Sequence, residues 1–237
     1  MTPRRPRAAG DDATLDVVGL PSVVAVCAHP DDESFGLGAV IGSLTAAGTS
    51  TSVLSFTHGE ASTLHGAPGD LRAVRAAELA AAAHALTVSD VRLLDHADGS
   101  LDCIDLDMLV DDVVHYVHAV GAHGLLVFDL DGITGHRDHQ RATEAALRAG
   151  ESLDLPVIAW SIPASVADSL NAAFGTCFVG RREDEVDIVL RVDRSIQHRA
   201  IALHASQATD NPVLWRRLEL MGDNEWLRWL RAPSVTG

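Results

Sequence analysis

Along most of the chain, apolar runs of strand length alternate with stretches of helical period. Ser22–Ala28 (SVVAVCA) predicts a buried strand, and Gly36–Ala47 a helix stopped by Gly48. Thr51–Thr57 predicts a second strand. Asp70–Leu86, rich in Ala and Leu, predicts a helix with Asp70 as N-cap. A third strand is expected at Val91–Asp95, then an amphipathic helix over Ile104–Val120 ended by Gly121. Gly124–Phe128 (GLLVF) reads as a fourth strand, Asp138–Ala149 as a helix ended by Gly150, and Pro156–Trp160 as a fifth strand. This β-α-β-α order predicts an α/β fold: a Rossmann-like, doubly wound, mostly parallel sheet with helices on both faces.

Beyond Ile162 the rhythm changes. Cys177–Val179 and Glu185–Val192 read as strands that pair at the sheet edge, and Ser195–Ser206 and Pro212–Leu230 as helices. Residues 1–20 read as a flexible arm and residues 21–237 as a single domain, with no internal repeat or low-complexity linker. The N-terminus places acidic residues, not an apolar stretch, behind its arginines. It does not read as a signal peptide, and no run is long enough to span a membrane. Cytoplasmic localisation is the expectation.

Composition narrows the partners. Of 237 residues, 47% are hydrophobic but only 4% aromatic, so aliphatic side chains must build the core. The formal net charge is -15, which argues against a nucleic-acid backbone or an anionic membrane as the main partner. The three cysteines, Cys27, Cys103 and Cys177, form no CxxC pair, so neither a disulfide framework nor a thiolate metal site is expected. Every basic side chain other than histidine is arginine.

In an open α/β sheet, ligands bind beyond the carboxyl ends of the strands. The first strand ends in His29-Pro30-Asp31-Asp32-Glu33, and the second in Thr57-His58-Gly59-Glu60. The third leads into Asp95–Gly99, and the fourth into Asp129 and then Gly135-His136-Arg137-Asp138-His139. Each segment alone has a plain structural reading. Acidic residues complement a helix N-terminus, and Asp31 is a fair N-cap. Together, HPDDE and HRDH leave neighbouring strands at the switch point and supply nitrogen and oxygen donors suited to zinc. Gly36-Leu37-Gly38 with Gly42 mimics a dinucleotide-binding turn. It lies too far past the strand, and its last spacing is one residue too long.

These residues carry a resemblance. From about Val23 to Gln207 the sequence resembles the LmbE-like, or PIG-L, family of zinc-dependent deacetylases acting on N-acetylglucosamine conjugates. That family includes the mycothiol- and bacillithiol-pathway deacetylases. AHPDDE (Ala28–Glu33) and GHRDH (Gly135–His139) are the specific anchors. Weaker matches are Thr57 with Gly59-Glu60, Arg75 to Glu78, Asp98-Gly99, Asp129, and His204 to Gln207. The resemblance implies one zinc ion, or another divalent metal, on His29, Asp32 and His139, with Asp31 as general base. It makes His136 the oxyanion donor or acid. Arg75 and Asp98 would contact sugar hydroxyls, and Asp129 or Asp138 would orient a histidine. Two positions depart from the pattern. Arg137 replaces a common Pro and would place a cation against the aglycone. Gln197 replaces a common Lys, which leaves its role and that of His204 open. The expected substrate is a small amino-sugar conjugate. An amidase of thiol-sugar (mycothiol-like) S-conjugates and a non-catalytic metal-binding module are the alternatives. A homo-oligomer is left open.

Overall fold

The computed structural model describes residues 7–9, 19–63 and 70–233. Among them, eight strands form one sheet. They are β1 (Arg7–Ala9), β2 (Ser22–Cys27), β3 (Ser50–Thr57), β4 (Asp90–His96), β5 (Leu125–Phe128), β6 (Val157–Ser161), β7 (Ile188–Arg191) and β8 (Asn224–Arg231). Their order is β1-β7-β8-β6-β5-β2-β3-β4. Every pairing is parallel except the two made by β8, which runs antiparallel to both β6 and β7.

The continuous apolar run of β2 follows from its central place. Val23, Ala25 and Cys27 join the core on one face, while Val24 and Val26, with Ala28 just beyond, join the core on the other. On the first face lie α1 (Asp32–Phe35), α2 (Gly38–Ala46), α3 (Leu71–Ala85), α7 (Ala164–Phe174), α8 (Ser195–Leu203) and α10 (Pro212–Met221). On the second lie α4 (Leu106–Val120) and α6 (Arg137–Ser152), which contribute Leu109, Val113, Ala142, Ala145 and Ala149. Two short helices complete the set, α5 (Gly132–Gly135) and α9 (Ala205–Ala208). Two of the expected caps are present, while the Asp31 side chain makes no capping hydrogen bond. The Asp70 carboxylate accepts the Arg72 N–H at 3.1 Å, and Gly121 ends α4 with φ 65°.

Four expectations need correction or placing. Helix α6 passes through Gly150 to Ser152, since one helical glycine costs only about 1 kcal/mol. Cys177–Val179 is not a strand; the Asn171 side-chain amide holds it, accepting the Phe178 N–H at 2.7 Å and donating to the Phe178 carbonyl at 2.9 Å. The helix expected over Pro212–Leu230 stops at Met221, where Gly222 adopts φ 55°, and the rest is β8. Of the arm over residues 1–20, Arg7–Ala9 lies parallel to β7, and apart from Gly19 and Leu20 the remainder falls outside the described residues.

Candidate metal centre and substrate cavity

The sheet reverses its winding between β2 and β5, and the loops after these strands meet there. After β2 the chain turns through His29 and Pro30 into α1. After β5 it passes through α5 into α6, whose first turn carries His139. His29, Asp32 and His139 thereby converge as a possible metal-ligand set. His29 Nδ1 is 3.2 Å from His139 Nε2, and His139 Nε2 is 3.2 Å from Asp32 Oδ1. Asp32 Oδ2 is 3.8 Å from His29 Nδ1 and accepts the backbone N–H groups of Ala28 and His29, each at 3.0 Å.

Hydrogen bonding on the far sides of the two rings sets their tautomers. His29 Nε2 faces Asp98 Oδ1 at 3.0 Å and Asp138 Oδ2 at 3.4 Å, so it carries hydrogen. His139 Nδ1 faces the Gly132 carbonyl at 3.1 Å and carries hydrogen too. Bare lone pairs on His29 Nδ1 and His139 Nε2 therefore oppose each other beside a carboxylate. Only a cation or a proton between them relieves that opposition. Tetrahedral zinc with bonds of ~2.0–2.1 Å separates its ligand atoms by roughly 3.3–3.5 Å. The two separations at His139 Nε2, each 3.2 Å, lie close to that range, and one donor atom from each of the three residues lies within 4.8 Å of the others, so the residues fit such an ion. Without metal, a proton takes the place of the cation. Burial opposes protonation of His29, but Asp138 and Asp98 overcome it and push the imidazole up to about 10. For Asp32, burial is likewise outweighed, here by His139 and His29, which hold the carboxyl well below the usual range.

Asp31 stands beside the triad without joining it. Its φ is 120°, a conformation costly for a non-glycine residue. Two contacts hold it. Its N–H donates to Glu33 Oε2 at 2.9 Å, and its carboxylate pairs with Arg75 Nη2 at 3.0 Å. Burial pushes the Asp31 carboxyl up to about 6, against the pull of Arg75. Arg75 is itself buried and also donates to the Gly59 and Pro30 carbonyls. Gly59 has φ 63°, and a Cβ there would collide with the guanidinium, so the glycine after β3 makes room for Arg75.

His136 is the N-cap of α6. Its Nδ1 accepts the Asp138 N–H at 3.2 Å, which leaves Nε2 to carry the hydrogen of the neutral ring. Burial, then the neighbouring His139 and His29, lower its pKa. The ring centroids of His136 and His29 are 4.9 Å apart. The structure thus presents a neutral N–H donor at this position, which suits the oxyanion-donor role of the two that the resemblance left open.

The other expected residues fall in several places. Asp98 and Asp138 both brace His29. Asp98 also accepts the Ala61 N–H at 2.9 Å, and Asp138 accepts the N–H groups of Gly99 and Leu101 at 2.7 and 3.1 Å. Asp129 has different partners: Arg228 at 2.6 and 2.8 Å, Arg181 at 2.8 Å and the Ser161 hydroxyl at 2.7 Å. Arg137 is exposed and lines a small recess with Asp102, Gln140, Arg141 and Glu144, apart from the main cavity. His204, fully buried, places Nε2 2.6 Å from Glu33 Oε1. Gln197 donates to the Ser34 and Phe35 carbonyls at 3.0 and 3.1 Å and ties α8 to the end of α1. Glu78 accepts from Ser206 N–H and hydroxyl at 2.8 and 2.6 Å, which explains why the Arg75-to-Glu78 and His204-to-Gln207 segments occur together.

The triad opens on a cavity of about 430 Å³. Its lining is polar at Ser62, Arg75, Asp98 and Gln207, where Ser62 bonds Gln207, and apolar at Phe35, Trp160, Phe178 and Leu214, with Arg217 against Phe35 and Trp160. The apolar part was not foreseen from sequence. Arg217 follows Arg216 in a helix where paired arginines look like a solvated face.

A match to the PIG-L family, described as GlcNAc-PI de-N-acetylase, covers residues 24–150, more than half of the chain, and contains both anchor motifs. The chain belongs to the PIG-L family. It is 29% identical over 249 residues to the 1D-myo-inositol 2-acetamido-2-deoxy-alpha-D-glucopyranoside deacetylase of Salinispora arenicola, covering 84% of this chain and 81% of that protein. The protein of the same name from Kineococcus radiotolerans is 31% identical over 169 residues, 58% of this chain, and the chain spans 47% of its length. Among solved structures, the N,N'-diacetylchitobiose deacetylase from Pyrococcus horikoshii superposes with a TM-score of 0.67 at 17% identity, covering 94% of this chain and 90% of that one. That last likeness is one of fold, and it agrees with the PIG-L assignment.

Proposed function

We propose that this protein is a zinc-dependent hydrolase that removes the acetyl group from an N-acetylglucosamine-type conjugate. Residues 21–237 form its catalytic domain, and it works in the cytoplasm. The carrying observation is the pair of bare imidazole lone pairs facing each other beside Asp32, with Asp31 adjacent but outside the set. His29, Asp32 and His139 would hold the ion. Bound there, zinc supplies Lewis acidity and lowers the pKa of water toward neutrality. Asp31 takes the proton from the attacking water, its carboxylate aimed by Arg75 and its backbone by Glu33. His136, neutral and fixed as N-cap, points Nε2–H at the oxygen that gathers charge as the amide carbonyl is attacked. One such donor contributes on the order of 3–4 kcal/mol. The proton held by Asp31 then passes to the leaving nitrogen, and acetate and a free amine result. Asp98 serves through His29 before any role toward sugar hydroxyls. No helix among the described residues is long and apolar enough to cross a membrane, and Cys103 and Cys177 are free and exposed, in keeping with a reducing compartment.

The test is direct. Protein loaded with zinc is incubated with 2-acetamido-2-deoxyglucose conjugates, including the inositol conjugate, and acetate and free amine are quantified. Equal release of both is expected, and its loss with a chelator. Stoichiometric metal with no acetate from any conjugate would show a metal-binding module without this activity.

A further inference from the structure

Two arginines line the cavity, and their surroundings differ. Arg75 pairs with the Asp31 carboxylate and donates to the Pro30 and Gly59 carbonyls, although its Nε also has no acceptor. Arg217 is 7% exposed, and among the described residues it forms no ion pair. Its one hydrogen bond goes to the Phe35 carbonyl, and its Nε has no acceptor. Its Cζ stands 5.1 Å over the Trp160 ring. Glu225, on the adjoining strand β8, is already taken by Arg194 and by the Trp160 indole N–H at 2.6 Å. Glu225 and Asp32 act on Arg217 only through space. A buried guanidinium with no carboxylate in contact is costly, and one lining a cavity suits an anion from outside the chain.

The walls around Arg217 are apolar: Phe35, Trp160, Phe178, Val213 and Leu214. A stack of rings links this region to the metal triad. His139 meets Phe128 at 5.0 Å, and Phe128 meets Trp160 at 5.2 Å, with Arg217 one step further at 5.1 Å. A ligand reaching from the triad to Arg217 thus passes the edges of these largely buried rings and ends at a guanidinium.

We propose that the apolar part of the cavity is a subsite for a substituent that joins an apolar body to a carboxylate, with Arg217 as its anion-binding residue. The inference takes the hydrolytic reading above as its frame and adds the class of aglycone. Trp160 and Phe35 accept the apolar body, and a planar carboxylate matches the donors that Arg217 leaves unused. The polar part, with Ser62, Asp98 and Gln207, is left for sugar hydroxyls.

The experiment compares two near-isosteric substrates, the 4-carboxyphenyl and 4-carbamoylphenyl glycosides of N-acetylglucosamine. In the natural protein, kcat/KM should favour the carboxylate by ~10-fold or more, the usual worth of a charged hydrogen-bonded pair. In Arg217→Met the ratio should fall to about one. It is taken within each protein, so a general loss of activity in the variant does not affect it. Equal kcat/KM for the two glycosides in the natural protein overturns the proposal. So does a preference that survives Arg217→Met, because the carboxylate is then held elsewhere, for instance on the metal. Calorimetric titration with 4-methylbenzoate and 4-methylbenzamide needs no turnover. If no glycoside is hydrolysed but benzoate binds more tightly, and only while Arg217 is present, the hydrolase reading fails and the subsite stands. Should Arg217→Met not fold, equal affinity of the natural protein for the two compounds still overturns it.

Discussion

Asp31 keeps an unfavourable backbone because its neighbours hold it at both ends. Glu33 fixes the N–H, Arg75 fixes the carboxylate, and His204 holds Glu33 from the other side. Asp31→Asn retains shape and removes the base. It should keep bound metal while kcat falls by ~10²–10⁴, read by elemental analysis alongside turnover. Arg75→Met tests the electrostatics. Burial raises the Asp31 pKa to about 6 with Arg75 pulling it down, so loss of that cation raises it further. The base is active only when ionised, so the acidic limb of kcat/KM should move to higher pH. A limb that stays in place would assign the proton to another group. Metal uptake is also linked to pH. Because Asp138 and Asp98, which face Nε2, favour the doubly protonated ring of metal-free His29, zinc must expel the Nδ1 proton, and affinity should rise with pH below about 10. Titrations in buffers of different ionisation enthalpy would count the released proton. At this scale the HPDDE and HRDH residues were legible because each motif is contiguous. The Glu33–His204 pair was not, because His204 lies 171 positions from Glu33 and only the fold brings them together.

At the scale of elements, Asp129 marks a junction. It ends β5, and its carboxylate gathers Ser161 at the end of β6, Arg228 on β8 and Arg181 after α7. Burial opposes its ionisation, but Arg228, Arg181 and Ser161 prevail and hold the carboxyl down to about 2. A depressed acid stabilises the fold above its unfolded pKa near 3.9, and that contribution is lost as pH falls toward 2. It amounts to roughly 2–3 kcal/mol. Asp129→Asn should therefore lower stability at neutral pH, take the carboxylate from Arg228 while Arg181 keeps Asp131, and flatten acid unfolding between pH 4 and 2. Denaturant titrations across that window would show it. Most elements were legible because strands buried on both faces give unbroken apolar runs. Strand β8 was not. It carries buried Glu225 and Leu227 beside half-buried Trp226 and Trp229, so its pattern suits helix and strand alike, and the break at Gly222 decides between them.

At the scale of the molecule, the α/β class and the convergence at the switch point followed from element order and from what each strand end carried. Beyond β6, the edge strand expected at Glu185–Val192 is present as β7, but β8 did not follow, because it enters antiparallel, against the rhythm of the earlier strands. That insertion fixes an order of events during synthesis. Among the described residues, β7 attaches to the rest of the sheet only through β8, and β1 only through β7. While the ribosome has released the chain no further than Gly222, the parallel core can assemble, but β6 ends in an open edge and β7 has no place to dock. The last strand closes the wall like a keystone set from the outside. Until it arrives, the nascent protein presents an unpaired sheet margin to chaperones and to other chains.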